Sequence, residues 1–239
     1  STSTNIGSQI KFEDDGPTAP TLALNTDGMV THDESAGLQT GSIGEVAPPA
    51  EDNNDNDVAG PLAVFNNITT PNGTTPGVDP DMAVGFATGA AAVVTLSGGS
   101  FGADGAAAAG ATAYALGVTD ATFAGVSTTA GTQIFLYNGA GPNAGLILGR
   151  VGTEGGGTDT ANATGEVAFA LAIAPATGVV SIVQYLSLQH PTITDYDESI
   201  ALATGAVQVT VTRTDGDGDK VSTSTNIGSQ IKFEDDGPT

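Results

Sequence analysis

The chain has 239 residues, of which 27 are Asp or Glu and only 5 Lys or Arg, a net charge of −22. Such a charge repels nucleic acid and anionic membrane surfaces. The lack of cysteine excludes disulfides, zinc–thiolate sites and thiol catalysis, and no apolar run approaches the ~18 residues of a membrane span. Glycine (34) and alanine are abundant and tryptophan is absent, so the expected core is thin and elongated.

Residues 1–18, STSTNIGSQIKFEDDGPT, return letter for letter as residues 222–239. An identity of 18 residues at a period of 221 marks one repeat of a tandem array. The expected division is 1–18 as last strand and linker of a preceding repeat, 19–221 as repeat body, and 222–239 as last strand and linker to the next. Tandem copying adds length or valency, which favours a structural or binding role over catalysis.

Taken in chain order, 1–12 alternates Thr4, Ile6, Ile10 and Phe12 against Ser3, Asn5, Gln9 and Lys11, a strand pattern. This first copy lacks the hairpin partner that precedes the second, so it is expected to pack less well than 222–233, to pair with a neighbouring molecule, or to compete for the same place. The Asp-Gly-Pro-Thr runs at 15–18 and 236–239 read as linkers stiffened by proline. Residues 37–81 read as long acidic loops, of a length that is usually functional or locally stapled.

Further strands are expected at 91–97, 112–118, 132–138, 145–151, 165–174, 178–188 and 206–214. In 165–174, Val167, Phe169, Leu171 and Ile173 are assigned to one face, with Ala168, Ala170 and Ala172 on the other. In 206–214, Val207, Val209 and Val211 oppose Gln208, Thr210 and Thr212. The run 106–109 allows one helical turn, and 196–199 a 3₁₀ turn. Strands 204–214 and 220–233 flank Asp215-Gly-Asp-Gly-Asp219 and form a hairpin. The expected fold is all-β: an antiparallel Ig-like β-sandwich with long acidic loops.

The acids are uneven: thirteen in 13–81, five in 82–194 and nine in 195–236. Calcium takes about 6–8 hard oxygen ligands, and alternating Asp-Gly lets a backbone curl around such an ion, so Asp215, Asp217 and Asp219 are candidate ligands. The loop is no EF-hand, because Lys220 stands at the glycine position and Asn226 at the closing glutamate. A second candidate is the junction, where Glu13, Asp14 and Asp15 recur as Glu234, Asp235 and Asp236, to be completed by Asn25, Asp27, Asp33 and Glu34. Asp52, Asp55 and Asp57 form a third. Asp79 with Asp81, and Asp195 with Asp197 and Glu198, are weaker pairs. The plain alternative is an acidic surface kept for solubility.

Residues 98–104 approach the calcium nonapeptide with one residue too many. His32, Asp33, Glu34 and Ser35 are hydrolase residue types, but neighbours on a strand point to opposite faces, so no triad is expected. Two histidines leave no multi-histidine metal site.

Seven ordered runs carry a resemblance: Phe101-Gly-Ala-Asp-Gly105, Tyr114-Ala-Leu116, Gly149-Arg-Val-Gly152, Gly165-Glu-Val-Ala-Phe-Ala-Leu171, 178–190 with Gln184-Tyr185-Leu186-Ser-Leu-Gln-His190, Thr214-Asp-Gly-Asp-Gly-Asp219, and Phe233-Glu-Asp-Asp-Gly-Pro-Thr239. Over roughly residues 12–239 the chain resembles the extender repeats of giant RTX (repeats-in-toxin) adhesins, which are type I secretion targets. The resemblance implies a β-sandwich in a secreted, outer-membrane-tethered bacterial adhesin. It also implies calcium bound between neighbouring repeats of the same polypeptide, with Asp14, Asp15, Asp215, Asp217, Asp219, Asp235 and Asp236 as ligands. A period of 221 residues is long for one such sandwich; the surplus lies in loops 37–81 or in a second subdomain. The expected role is thus a calcium-stiffened spacer, not an enzyme, without nucleic-acid partner or direct membrane insertion. The competing expectation is a glycan- or protein-binding module using the 51–86 region.

Overall fold

The computed structural model describes residues 1–34, 55–68, 84–156, 158–192 and 198–235. Among them are fourteen strands, five single 3₁₀ turns and no α-helix. Glycine-punctuated segments of three to seven residues with β-branched and alternating apolar positions cannot sustain a helix, and they form short strands instead.

The central layer is a six-stranded antiparallel sheet. Its strands, in spatial order, are β3 (Gly85–Thr88), β10 (Val180–Gln184), β9 (Val167–Ile173), β8 (Ile147–Val151), β7 (Gln133–Asn138) and β6 (Thr122–Ser127). Facing it are three small sheets. One pairs β1 (Thr21–Leu24) with β4 (Val94–Ser97). One orders β13 (Lys220–Asn226), β12 (Gln208–Thr214) and β5 (Thr112–Gly117). One orders β11 (Ser199–Ala201), β14 (Ile231–Glu234) and β2 (Val30–Asp33). The result is an all-β sandwich, with one departure from the antiparallel expectation: β14 pairs with β2 in parallel, Ile231 opposite Val30 and Glu234 opposite Asp33.

The main core lies between these layers. Phe169, Leu171, Ile134, Leu136, Ile147 and Ile182 from the six-stranded sheet meet Val209, Val211, Ile231 and Phe233. The rings of Phe169 and Phe233 have centroids 5.0 Å apart and are tilted by 48°, within the favourable range for an aromatic pair. A second core covers the other face of the same sheet. There Leu146, Leu148, Val167, Ala170, Ala172 and Val183 pack under Phe65 and Ile68. The described part of the long acidic loop, 55–68, is therefore a cover for a second apolar face, in keeping with the stapled-loop expectation.

Burial on both sides explains why every residue of β9 is buried. It also corrects the face assignment of two residues, Val167 and Ala168. Leu148 lies opposite Ala170 and Gly149 opposite Phe169, but Arg150 is opposite Val167, so Ala168 is the extra residue of a bulge. Beyond it the alternation changes phase, and Val167 joins Ala170 and Ala172 in the second core while Ala168 joins Phe169 in the first.

The hairpin expected around 215–219 is present, with Thr214 opposite Lys220. The segment 220–233 is not one strand, however. It breaks at a 3₁₀ turn, Gly228–Gln230, and passes from the β12 sheet to the β2 sheet as β13 and β14. Residues 1–12 form no strand; they carry a lone 3₁₀ turn at Gly7–Gln9 and are exposed throughout. The expectation that this copy packs less well than 222–233 holds. Residues 106–109 take no helical turn, since Ala106 bridges Asp215 as β structure. Strand β10 stops at Gln184, short of the expected 188. Strands β1, β2, β3, β6 and β11 lay outside the clearest alternating segments.

The connectivity sets two poles. The chain 21–33 runs antiparallel to 85–97: Thr21 is opposite Ser97, Leu24 opposite Val94, and the His32 ring lies against Gly85. Thr18 is bridged to Ser100, so the N-terminal linker enters at the pole that holds loop 98–106 and the 215–219 turn. From there β13 and β14 run toward Glu234, beside Asp33 at the opposite pole. With ~3.3 Å per strand residue and ~2 Å per 3₁₀ residue, the poles are about 40 Å apart. Linkers leaving opposite poles suit a head-to-tail string.

Candidate metal centre

The entry pole is built from three segments distant in sequence. The 215–219 turn is closed by Asp215, whose Oδ1 accepts from the N–H groups of Gly218 (3.1 Å) and Asp219 (2.7 Å). Asp215 is 1% exposed, and its other oxygen, Oδ2, has no hydrogen-bond partner among the described residues. A buried carboxylate oxygen left without a donor is costly, and such an oxygen can serve as a ligand to a cation. Loop 98–106 is held against this turn by the Ala106–Asp215 bridge and by the Ala107 N–H donating to the Thr214 carbonyl at 3.1 Å. Gly216 permits the approach, because a Cβ there would stand 2.4 Å from the Asp104 carbonyl oxygen.

The linker supplies the third segment. Asp15 spends its carboxylate on the Ala103 N–H, at 2.9 and 3.1 Å, which leaves Asp14 facing the turn. Two groups of carboxylates result, each with ligand oxygens within 4.8 Å of one another: Asp215, Asp217 and Asp219, and Asp14, Asp104 and Asp217. Asp217 belongs to both. The nearby cation, Arg213, is turned away, donating to the Gly98 carbonyl at 3.0 Å and lying 5.1 Å from the Phe101 ring centre.

The electrostatics record the crowding. Asp104 is raised above its ordinary value by desolvation and by the charges of Asp217, Asp14, Asp15 and Asp215. Asp219 is raised chiefly by Asp217, then by Asp14 and Asp215, and Asp14 also hydrogen-bonds it. The all-oxygen aspartate set is of the kind that suits a hard ion such as Ca²⁺.

A pH dependence follows for the chain in chelator. A proton held more tightly by folded than by unfolded chain stabilises the fold. For Asp104 and Asp219 that contribution is complete below the ordinary aspartate value of 3.8 and is lost as pH rises through their raised values. The midpoint of thermal unfolding in EDTA therefore rises as pH is lowered through the raised values of Asp104 and Asp219 toward 3.8. The double variant Asp104→Asn, Asp219→Asn shows a shallower dependence; an unchanged slope would remove these two groups from the account.

Of the residues expected at the junction, Asp14 comes together here with Asp215, Asp217 and Asp219 of the expected turn site, and Asp15 is bound to the loop beside them. Sequence reasoning missed Asp104, although 98–104 had been noticed for its likeness to a calcium repeat. Asp27 does not join: it sits in the 3₁₀ turn Thr26–Gly28, its N–H on the Asn25 side chain. Asp33 and Glu34 do not complete this site either, because β2 carries them to the opposite pole. Asp52 and Asp236 lie outside the described residues.

That opposite pole holds a second polar centre, and it is buried. Glu34 accepts from the Gln184 side-chain amide and from the Leu188 N–H (2.8 Å), with His190 Nε2 at 3.8 Å. Burial raises Glu34 above the usual carboxylate range. Burial alone would lower His190, but the nearby Glu34 carboxylate and the charges of Asp235 and Glu198 outweigh it and raise it. The Glu34 N–H donates to the Glu234 carbonyl (3.1 Å), and that of Asp235 to the Glu198 carbonyl (3.1 Å). Beside them His32 Nδ1 meets Asp57 Oδ1 at 2.7 Å, and the Asp57 N–H donates to Asp55. Of the third expected group, Asp55 and Asp57 belong to this pole.

Comparison with known families gives one match: the family described as Domain of unknown function (DUF5801) covers residues 29–228. No curated protein and no solved structure matches the chain.

Proposed function

The chain belongs to the DUF5801 family of domains of unknown function, and from its own geometry we propose that it is a calcium-binding extender repeat of a bacterial surface adhesin. In this reading it is secreted by the type I route and stands at the cell surface. It is structural, not catalytic, and its partners are neighbouring repeats of the same polypeptide.

One observation carries the reading. The triplet Glu13-Asp14-Asp15 and the triplet Glu234-Asp235-Asp236 are identical in sequence, yet Glu234 and Asp235 lie at the exit pole and Asp14 and Asp15 at the entry pole. The second leaves β14 with Glu234 fixed at the exit pole. The first delivers Asp14 to Asp104 and Asp217 at the entry pole. In a tandem chain a single triplet holds both positions, fixed by its glutamate to the repeat behind and by its aspartates to the repeat ahead. Calcium held by Asp14, Asp104, Asp215, Asp217 and Asp219 would neutralise the acids and tie the linker to the turn. Without the ion the carboxylates repel and the linker swings. At the low calcium of a bacterial cytosol the array would stay soft enough for export, and it would stiffen outside.

Small-angle scattering on two repeats in tandem tests this. The expected result is a longer maximum dimension and a rod-like profile in calcium, and a shorter, broader distribution in EDTA. Equal extension in both would overturn it.

A further inference from the structure

In a tandem chain the aspartate that leaves one repeat as Asp235 enters the next as Asp14, since the two segments are identical. Its surroundings at both poles are therefore visible in one chain. At the exit pole β14 lies between β11 and β2. Ser199 of β11 is opposite Glu234, and one step further the Asp235 N–H donates to the Glu198 carbonyl at 3.1 Å. Glu198 and Asp235 thus form a cross-strand pair. Directly opposite residues of an antiparallel ladder stand on the same face, with Cβ atoms about 5 Å apart. The charges of both carboxylates act on His190 beside them. On the other edge Glu34 donates its N–H to the Glu234 carbonyl, but its carboxyl is committed inward to Gln184 and Leu188. The Glu198 carboxylate accepts from the Thr192 N–H and hydroxyl, each at 2.7 Å, and a carboxylate has lone pairs beyond two such bonds.

At the entry pole the same aspartate, as Asp14, shares a carboxylate group with Asp104 and Asp217 and hydrogen-bonds Asp219. The next residue, Asp15, is held by the Ala103 N–H. The last contact with the repeat behind and the first with the repeat ahead therefore fall on the same residue or on neighbours, whose Cα atoms are about 3.8 Å apart. No free linker separates the repeats, and the exit pole of one abuts loop 98–106 and the 215–219 turn of the next. Two acids directly opposite on a ladder repel. Here they join Asp104, Asp217 and Asp219, with the buried, partnerless Oδ2 of Asp215 among them.

Resting on the tandem reading proposed above, we infer that the metal centre is shared between repeats and that Glu198 of the repeat behind completes it as a further carboxylate ligand opposite Asp14. A centre with no repeat behind it lacks that ligand and holds calcium more weakly than one at a junction. Ion binding and the end-to-end seating of repeats are then one event, because the ligand set closes only where two poles abut.

Calorimetric titration of calcium into two repeats in tandem, with the single chain as reference, tests this. Glu198 of the first repeat lies at the junction. Glu198 of the second lies at the far exit pole, about 40 Å from the junction. The expected result is one centre of single-chain affinity and one that is tighter. Glu198→Gln in the first repeat should weaken the junction centre about tenfold or more and leave the front centre as it was. The same substitution in the second repeat makes the same local change beside Thr192 and should leave both centres at wild-type affinity. Equal weakening from either position would mean a structural effect and would overturn the inference, as would a first-repeat variant that binds like wild type. Both of those results leave calcium binding by the repeat itself intact. A tandem that binds no calcium at all would instead remove the extender reading, and this inference with it.

Discussion

Calcium is expected to raise the thermal unfolding midpoint of this chain well above its value in EDTA, and magnesium to do so far less. An ion that binds only the folded state stabilises it by mass action, by about 2.7 kcal/mol per site at 100 times its dissociation constant. For a chain of this size that is a rise of roughly 5–10 °C for each such site. Magnesium discriminates because it demands near-octahedral geometry and sheds its water reluctantly, whereas calcium accepts an irregular oxygen set. Asp215→Asn separates the ion from the hairpin. The amide oxygen still accepts from Gly218 and Asp219, so the turn persists, but the charge beside the partnerless Oδ2 is gone. The variant folds and loses most of the calcium-induced rise. If wild type shows no rise in calcium, the acids are a solvated surface and the extender reading fails with them.

Phe169→Ala costs about 3–5 kcal/mol, the range for truncating a buried aromatic. Phe169 is fully buried on the central strand β9 and packs on Phe233, the residue that anchors β14. Its ring also covers Gly149, where a Cβ would stand only 2.6 Å from the ring, so no neighbouring side chain fills the void. Urea denaturation should show a lower midpoint with an unchanged slope. A loss under about 1 kcal/mol would mean the core relaxes into the space.

Gly149, Phe169 and the repeat boundary show how far the sequence reaches. Alternation along 206–214 correctly turned Val207, Val209 and Val211 inward, because strand periodicity is local and needs no partner. The Asp215–Asp219 hairpin was legible for the same reason. The bulge at Ala168 was not, since it exists only relative to β8.

The sequence by itself determined the strand character of the chain, the placing of its acids at the ends of the period, and, through the 18-residue identity, the fact of a repeat. Only the tertiary structure decided which acids meet. Asp104 stands about ninety residues from Asp14 and more than a hundred from Asp217, and no local pattern links them. Asp33 and Glu34 follow the linker closely in sequence, yet β2 carries them to the far pole, because an extended strand gains about 3.3 Å per residue and separates neighbours in sequence quickly. The two copies of STSTNIGSQIKFE make the point within one chain. Their local backbones agree, and one is buried while the other is exposed, because burial depends on a slot assembled from β2, β11 and β12, which only one of the copies can reach.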